Sequence, residues 1–332
     1  MQKENIPIIP DMKQLSFLLK IDLSLLNRMI FGTKKFYRVF EIPKRNKKGV
    51  RIINAPYPSL MKAQEWILKN LLQDIPLDDS AHAYRKNRSI LTNVIPHLKN
   101  KTLLKIDLKD FFPNIEKRRI ISIFSKLGYT QDISFALASL CTLDNFLPQG
   151  APTSPTLSNI IAYRVDRRLS SLCEKNNMVY TRYADDMVLT SNYISVKTKD
   201  FVIAIIEDCG FIINRDKTYL STNRNKRIIT GISIQDGTTK IPRKLKREIK
   251  QEMYYLNKYG ANEHISTQKI TNIFYLEKIR GKILFWNFIE ADSKIAKKML
   301  ADINQIIDSF DKNHKGTSNG VLGFFKNLLG II

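Results

Sequence analysis

A chain of 332 residues that is 43% hydrophobic can bury one large core or a few packed subdomains. Its 54 Lys and Arg outnumber 31 Asp and Glu, and a formal net charge of +23 points to a polyanionic partner, nucleic acid first. No apolar run is long enough to span a membrane, so no stable membrane association is expected.

The N-terminal MQKENIPIIPDMKQ lacks the apolar core of a signal peptide, and a cytoplasmic location is expected. Residues 11–31 carry helical periodicity (Leu15, Leu18, Leu19, then Leu23, Leu26, Met29), which predicts a pair of helices in an N-terminal extension, 1–34. FYRVFEIPKRNKKGVRIIN, 36–54, reads as two strands joined by the basic turn Lys44–Gly49. Helices are expected at 59–74 and 89–99, each opening near a serine that suits an N-cap. TLLKID, 102–107, is an apolar strand and Lys117–Leu127 a helix. A longer helix, 154–175, is entered through PQGAPTSP. A strand pair around Asp185 and Asp186 follows, then a helix at 197–209 and short strands through Ile232. Beyond Pro242 the pattern turns to basic amphipathic helices near 243–259, 267–289 and 293–311, with QDGTTKIP, 235–242, as the expected linker. The end, GVLGFFKNLLGII, is an apolar tail. Cys141, Cys173 and Cys209 stand apart in apolar segments with no CxxC pair, so core thiols are expected rather than a zinc site or disulfides.

TRYADDMVLTS, 181–191, places two adjacent aspartates at the tip of a strand pair, although strands are depleted in Asp and like charges repel. A second acidic strand end is Asp107 in LLKIDLKDFF. Three carboxylates brought together by neighbouring strands need a divalent cation among them, and Mg²⁺ favours hard oxygen ligands plus substrate phosphates. Two such ions about 4 Å apart activate a 3′-hydroxyl and stabilise leaving pyrophosphate. The residue pattern therefore points to phosphoryl transfer by positioning and charge neutralisation.

With YADD as the catalytic box, the sequence resembles the reverse transcriptases, and the other boxes stand in the family's order. AHAYRKNRSILTN (81–93) resembles the fingers box, KIDLKDFFPNI (105–115) the first palm box, LPQGAPTSPTLSN (147–159) the Pro-Gln-Gly box, and GFIINRDKT (210–218) the lysine-bearing box. NVIPH (93–97) and ITG (229–231) resemble the Asn-Ala-x-x-His and Val-Thr-Gly boxes of bacterial retron reverse transcriptases, with Val94 for alanine and Ile229 for valine. The resemblance implies an α+β right-hand polymerase with fingers (35–100), an antiparallel palm (101–235, with 113–150 returning partly to the fingers) and a helical basic thumb (236–316), followed by an apolar tail (317–332).

It also implies roles. Asp107, Asp185 and Asp186, with the carbonyl of Leu108, are the expected ligands of two Mg²⁺ ions, for which Mn²⁺ could substitute. Lys217 is the candidate proton donor to pyrophosphate. Arg51, Arg85 and Arg88 are expected on the triphosphate of an incoming dNTP. Phe112 is expected on the sugar's 2′ side, and Gln149 and Gly150 beside the templating pair. Asn93, His97, Thr230, Gly231 and the cations Arg243, Lys244, Lys246, Arg247 and Lys250 are candidates for RNA or DNA contact. As a retron enzyme it would copy a cognate structured noncoding RNA into branched single-stranded DNA, starting at the 2′-hydroxyl of an internal guanosine. The resemblance implies anti-phage defence with a separate effector protein. The same boxes suit an abortive-infection or diversity-generating reverse transcriptase, and a basic chain of this kind could also be a non-catalytic RNA-binding scaffold.

Overall fold

The computed structural model describes residues 6–44, 49–222, 227–235 and 237–314. Most of the expected basic turn and the tail 317–332 lie outside them. The chain divides into two compact units, residues 1–225 and 226–332.

The first unit opens with α1 (Met12–Leu19) and α2 (Leu23–Phe31). Asp11 and Asp22 cap them by accepting from the backbone N–H groups of the first turns, and Lys20 takes a left-handed conformation between them. β1 (Tyr37–Pro43) and β2 (Val50–Pro56) pair as an antiparallel hairpin. α3 (Pro58–Ile67) then widens to a π turn over 68–72, so the single helix expected at 59–74 is interrupted. α4 (Ile90–Val94), held by a reciprocal Ser89–Thr92 cap, ends short of the expected 99. Pro96 has no N–H to continue the ladder, and the chain tightens to a 3₁₀ turn over Ile95–His97.

β3 (Thr102–Leu108) is buried at every residue but Lys105, which is half-buried. After it come α5 (Lys117–Lys126), α6 (Gln131–Cys141) and α7 (Ser154–Lys175). They are followed by β4 (Val179–Tyr183), β5 (Asp186–Ser191), α8 (Val196–Asp208) and β6 (Ile213–Ser221). The sheet is antiparallel with order β4-β5-β3-β6, which puts β3 in its interior. α7 packs on β4 and α8 on β6. Leu104, Ile106, Leu157, Leu169, Leu189 and Ile206 belong to one continuous core that also takes in Leu15, Leu26 and Leu137.

The second unit begins with a small antiparallel sheet, β7 (Ile228–Ile229), β8 (Ile232–Gln235) and β9 (Thr238–Lys240). Three helices follow: α9 (Arg243–Thr267), α10 (Tyr275–Ile289) and α11 (Lys294–His314). α9 is kinked at Gly260, whose φ of 73° no helix accommodates. Ile249, Met253, Ile283, Trp286 and Ile303 are buried. The boundary falls earlier than the expected linker at 235–242. β9 and the residue after it are tied to the end of α10, since the Thr239 hydroxyl donates to the Ile289 carbonyl (2.8 Å) and the Ile241 N–H to Glu290 (2.8 Å). The small sheet is therefore part of the helical unit.

Candidate active site

The aspartates meet because of strand register. Asp107 is opposite Asp186 on β5 and opposite Asn214 on β6. The β4–β5 hairpin closes on the Tyr183–Asp186 pair, leaving Ala184 and Asp185 as a two-residue turn. Ala184 carries the positive φ (57°) that such turns require. The Leu108 N–H donates to the Asp185 carbonyl at 3.0 Å, which ties that turn to the end of β3. The adjacent aspartates of the hairpin and the aspartate of β3 thus form one cluster at one end of the sheet.

Asp107 is only 6% exposed, and its carboxylate accepts from Asn214 Nδ2 (3.0 Å) and Lys217 Nζ (3.0 and 3.2 Å). Asp186 is paired with Lys105 Nζ at 3.1 Å. Lys105 and Asp107 are two apart on one strand and so share a face. Lys217 owes its reach to an irregularity. Pairing of β3 with β6 jumps from Asn214 to Tyr219 while β3 advances only from Asp107 to Lys105, so residues 215–218 bulge out. The Thr218 hydroxyl closes the bulge on the Asn214 carbonyl (2.9 Å). Bulges beside active sites commonly re-aim one side chain in this way.

Burial, followed by the charges of Asp186 and Asp107, pushes the Asp185 carboxyl above its ordinary range. The hydrogen bond and charge of Asp107 push Lys217 up. Among the described residues no three acidic, His or Cys side chains already enclose an ion-sized space. Two of the carboxylates are instead closed on lysines. The donor set fits a hard divalent cation all the same: three mutually repelling oxygen ligands, one of them held partly against its own ionisation.

A second network, with far less to announce it in the sequence, holds the YADD turn. Arg182 is fully buried; Nε and Nη2 donate to Asp166 at 2.8 and 2.7 Å, and Nη1 to Asn159 Oδ1 (3.0 Å) and the Ala184 carbonyl (3.1 Å). The Tyr180 hydroxyl also donates to Asp166 (2.8 Å). One buried ion pair thus joins α7 to the backbone of the YADD turn. Its only sequence signal is an arginine inside an otherwise apolar strand.

The expected nucleotide contacts separate into two groups. Asn54 N–H donates to the Gln149 carbonyl at 2.8 Å, and a Cβ on Gly150 would lie 2.8 Å from the Asn54 carbonyl oxygen, so β2 and the Pro-Gln-Gly loop meet backbone to backbone. Arg51 is on the same strand, exposed. Phe112 is half-buried beside Phe111, with ring centroids 5.5 Å apart. Arg85 and Arg88 do not follow this pattern. Arg85 donates to the carbonyls of Asp78 (2.7 Å) and Ala81 (2.9 Å), and Arg88 to Asp79 (2.9 Å), so both brace their own loop.

Asn93 and His97 are corrected outright as nucleic-acid contacts, for both are wholly buried. The His97 ring is bonded on one side to Thr190 (2.7 Å) and on the other to Thr181 (2.8 Å), which fastens the 3₁₀ turn to the sheet. Burial pushes its pKa down to about 3. Thr230 and Gly231, both with positive φ (45° and 83°), form the tight turn between β7 and β8. Arg243, Lys244, Arg247 and Lys250 are exposed on α9. Lys246 is paired with Glu290 (2.7 Å) and lies over the Trp286 ring.

Residues 42–257 match the family described as reverse transcriptase (RNA-dependent DNA polymerase), and the chain belongs to that family. Its fold is therefore the α+β right-hand polymerase and its activity RNA-directed DNA synthesis. It is 32% identical over 311 residues to the retron Ec86 reverse transcriptase of Escherichia coli, covering 93% of each chain. It is 31% identical over 234 residues to the retron Ec73 reverse transcriptase of the same species, covering 64% of this chain and 74% of that one. The retron Mx65 reverse transcriptase of Myxococcus xanthus is 32% identical over 220 residues, 60% of this chain and 51% of that longer protein. Within the family it is a bacterial retron reverse transcriptase.

Proposed function

We propose that the chain copies a cognate structured RNA into branched single-stranded DNA by chemistry centred on Asp107, Asp185 and Asp186. The observation that carries this reading is the Asp107–Asp186 register pair beside the Asp185 turn. Two Mg²⁺ ions, or Mn²⁺ in their place, would be held by these carboxylates and the Leu108 carbonyl, and when bound supply charge neutralisation for the transferred phosphoryl group. Lys217, protonated and aimed by the β6 bulge, is placed to give a proton to leaving pyrophosphate. Arg51 contributes a planar cation on the hairpin for the triphosphate. Phe112 screens the sugar, and the Gln149–Gly150 backbone lies against the base pair being formed. Arg243, Lys244, Arg247 and Lys250 suit phosphate contact with the RNA or its DNA copy. The Thr230–Gly231 turn is a further candidate contact.

Synthesis starting from a 2′-hydroxyl of the RNA, action in the cytoplasm, and service with a separate effector in anti-phage defence complete the proposal. The test is the nucleic acid that copurifies with the protein. A discrete short DNA surviving RNase, whose mobility shifts on treatment with a 2′–5′ debranching enzyme, is expected. The Asp185→Asn, Asp186→Asn double variant should bind the RNA but carry no DNA. Wild-type enzyme that extends ordinary primers yet carries no branched DNA would refute the self-priming part alone.

A further inference from the structure

Tyr84 stands out in the fingers box for a backbone it should not adopt. Its φ is 61°, in the left-handed region where a bulky side chain is strained. Such strain persists only where the surroundings enforce it, and it clusters at sites with a task. Here the residues on both sides are tied. His82 N–H donates to the Arg182 carbonyl (2.8 Å) and the Ala83 carbonyl accepts from Asn159 Nδ2 (2.9 Å). Downstream, Arg85 donates back to the Asp78 and Ala81 carbonyls. The chain is thus clamped before and after Tyr84, and the turn is forced.

The ring that results is not part of the core, since Tyr84 is 49% exposed. It lies against Phe112, with centroids 6.3 Å apart and planes at 50°. Phe112 also neighbours buried Phe111, which stacks in turn on Phe211 at 5.9 Å. Phe112 therefore has both a buried ring and the exposed ring of Tyr84 as neighbours. The segment carrying Tyr84 is tied to β4 just ahead of the aspartate turn, by the His82 N–H on the Arg182 carbonyl; partial burial, then the charge of Asp185, raises the phenol's pKa.

We propose that Tyr84 is a positioning residue for sugar selection: its ring holds that of Phe112 over the 2′ side of the incoming nucleotide and so sets the preference for deoxynucleotides. The inference rests on the proposed role of Phe112. The ring, not the hydroxyl, performs this role, so the tilted aromatic contact must survive in Tyr84→Phe. Removing the ring lets Phe112 move, which opens room for a 2′-hydroxyl.

The test is the ratio of kcat/KM for a dNTP to that for the matching rNTP on a primed RNA template. Tyr84→Phe is expected to keep the wild-type ratio. Tyr84→Gly and Tyr84→Ala are expected to lower it about tenfold, and Phe112→Ala by about 100-fold, the order that shape exclusion provides. The double variant Tyr84→Gly, Phe112→Ala should match Phe112→Ala alone, because residues acting through one another are not additive. Glycine relieves the left-handed backbone, so melting temperature should not fall in Tyr84→Gly and a folding defect is separated from a selection defect. A wild-type ratio in Tyr84→Gly beside a collapsed ratio in Phe112→Ala overturns the Tyr84 role and spares that of Phe112. A fully additive double variant overturns the Tyr84 role, since the two rings then act independently, whereas an unchanged ratio in Phe112→Ala overturns the premise that Phe112 screens the sugar.

Discussion

The three clustered aspartates meet two lysines: Lys105 is paired with Asp186 and Lys217 with Asp107, which offsets two of the three negative charges. Lys105→Met removes a competitor at little cost in volume, and divalent-ion affinity, read by Mn²⁺ paramagnetic relaxation, should rise about tenfold. Lys217→Met should have the same sign there but lower the polymerisation rate by about 10²-fold, as loss of a general acid does. Burial likewise governs the histidines. His97 is pushed down to about 3 and His82 to about 4, from 6.5 in an exposed chain. Between those values the unfolded chain binds protons that the folded one refuses. Stability is therefore complete above about pH 6.5 and falls, as pH drops through that window, by up to about 1.4 kcal/mol per unit for each histidine. Denaturant titrations at pH 7 and pH 5 should show the loss, and His97→Gln should show a shallower slope.

At the level of elements, the site depends on close backbone approach and on one buried charge pair. Gly150→Ala forces a Cβ against the Asn54 carbonyl at a φ of 124° and should weaken dNTP binding, raising KM several-fold with the thermal transition lowered. Arg182→Leu strands the Asp166 carboxylate in the core and should cost about 3–5 kcal/mol, whereas replacing both partners by apolar residues should cost less. A double-mutant cycle in urea measures the difference. These elements were unequally legible in the sequence. Asp107, Asp185 and Asp186 announced themselves by breaking strand rules, and α7 by its proline entry and long apolar period. α6 went unread because Ile133, Ser134 and 136–141 are all buried, so the helix has no polar face to give it a period. The bonds of Arg85 and Arg88 to their own loop were not legible, because composition shows a cation but not its partner. Asn93 and His97 misled because a polar side chain buried in the core reads like one on the surface.

Across the whole chain the excess of 54 basic over 31 acidic residues is a statement about binding and its salt dependence. RNA affinity should fall steeply between 50 and 200 mM salt, by about 10³-fold if about six phosphates are neutralised. Changing Arg243, Lys244, Arg247 and Lys250 to Gln should flatten the log–log slope by about one for each phosphate no longer neutralised, while both units keep their fold, because all four are solvent-facing on α9. A slope equal to that of the native protein would remove α9 from the RNA-binding surface. β3, inside the sheet and hydrogen-bonded along both edges, has a consequence for how such a chain tolerates changes in length. One residue inserted between Leu103 and Ile106 would turn Asp107 to the opposite face and break its step with Asp186 and Asn214 together. At the β6 bulge another residue would leave the ladder in step but re-aim Lys217, so an insertion at 215–218 should keep the fold and lower the polymerisation rate. Scanning single-codon insertions should therefore separate a window in β3 that breaks the site from one at 215–218 that costs rate alone, a map of spacing that substitutions alone would never draw.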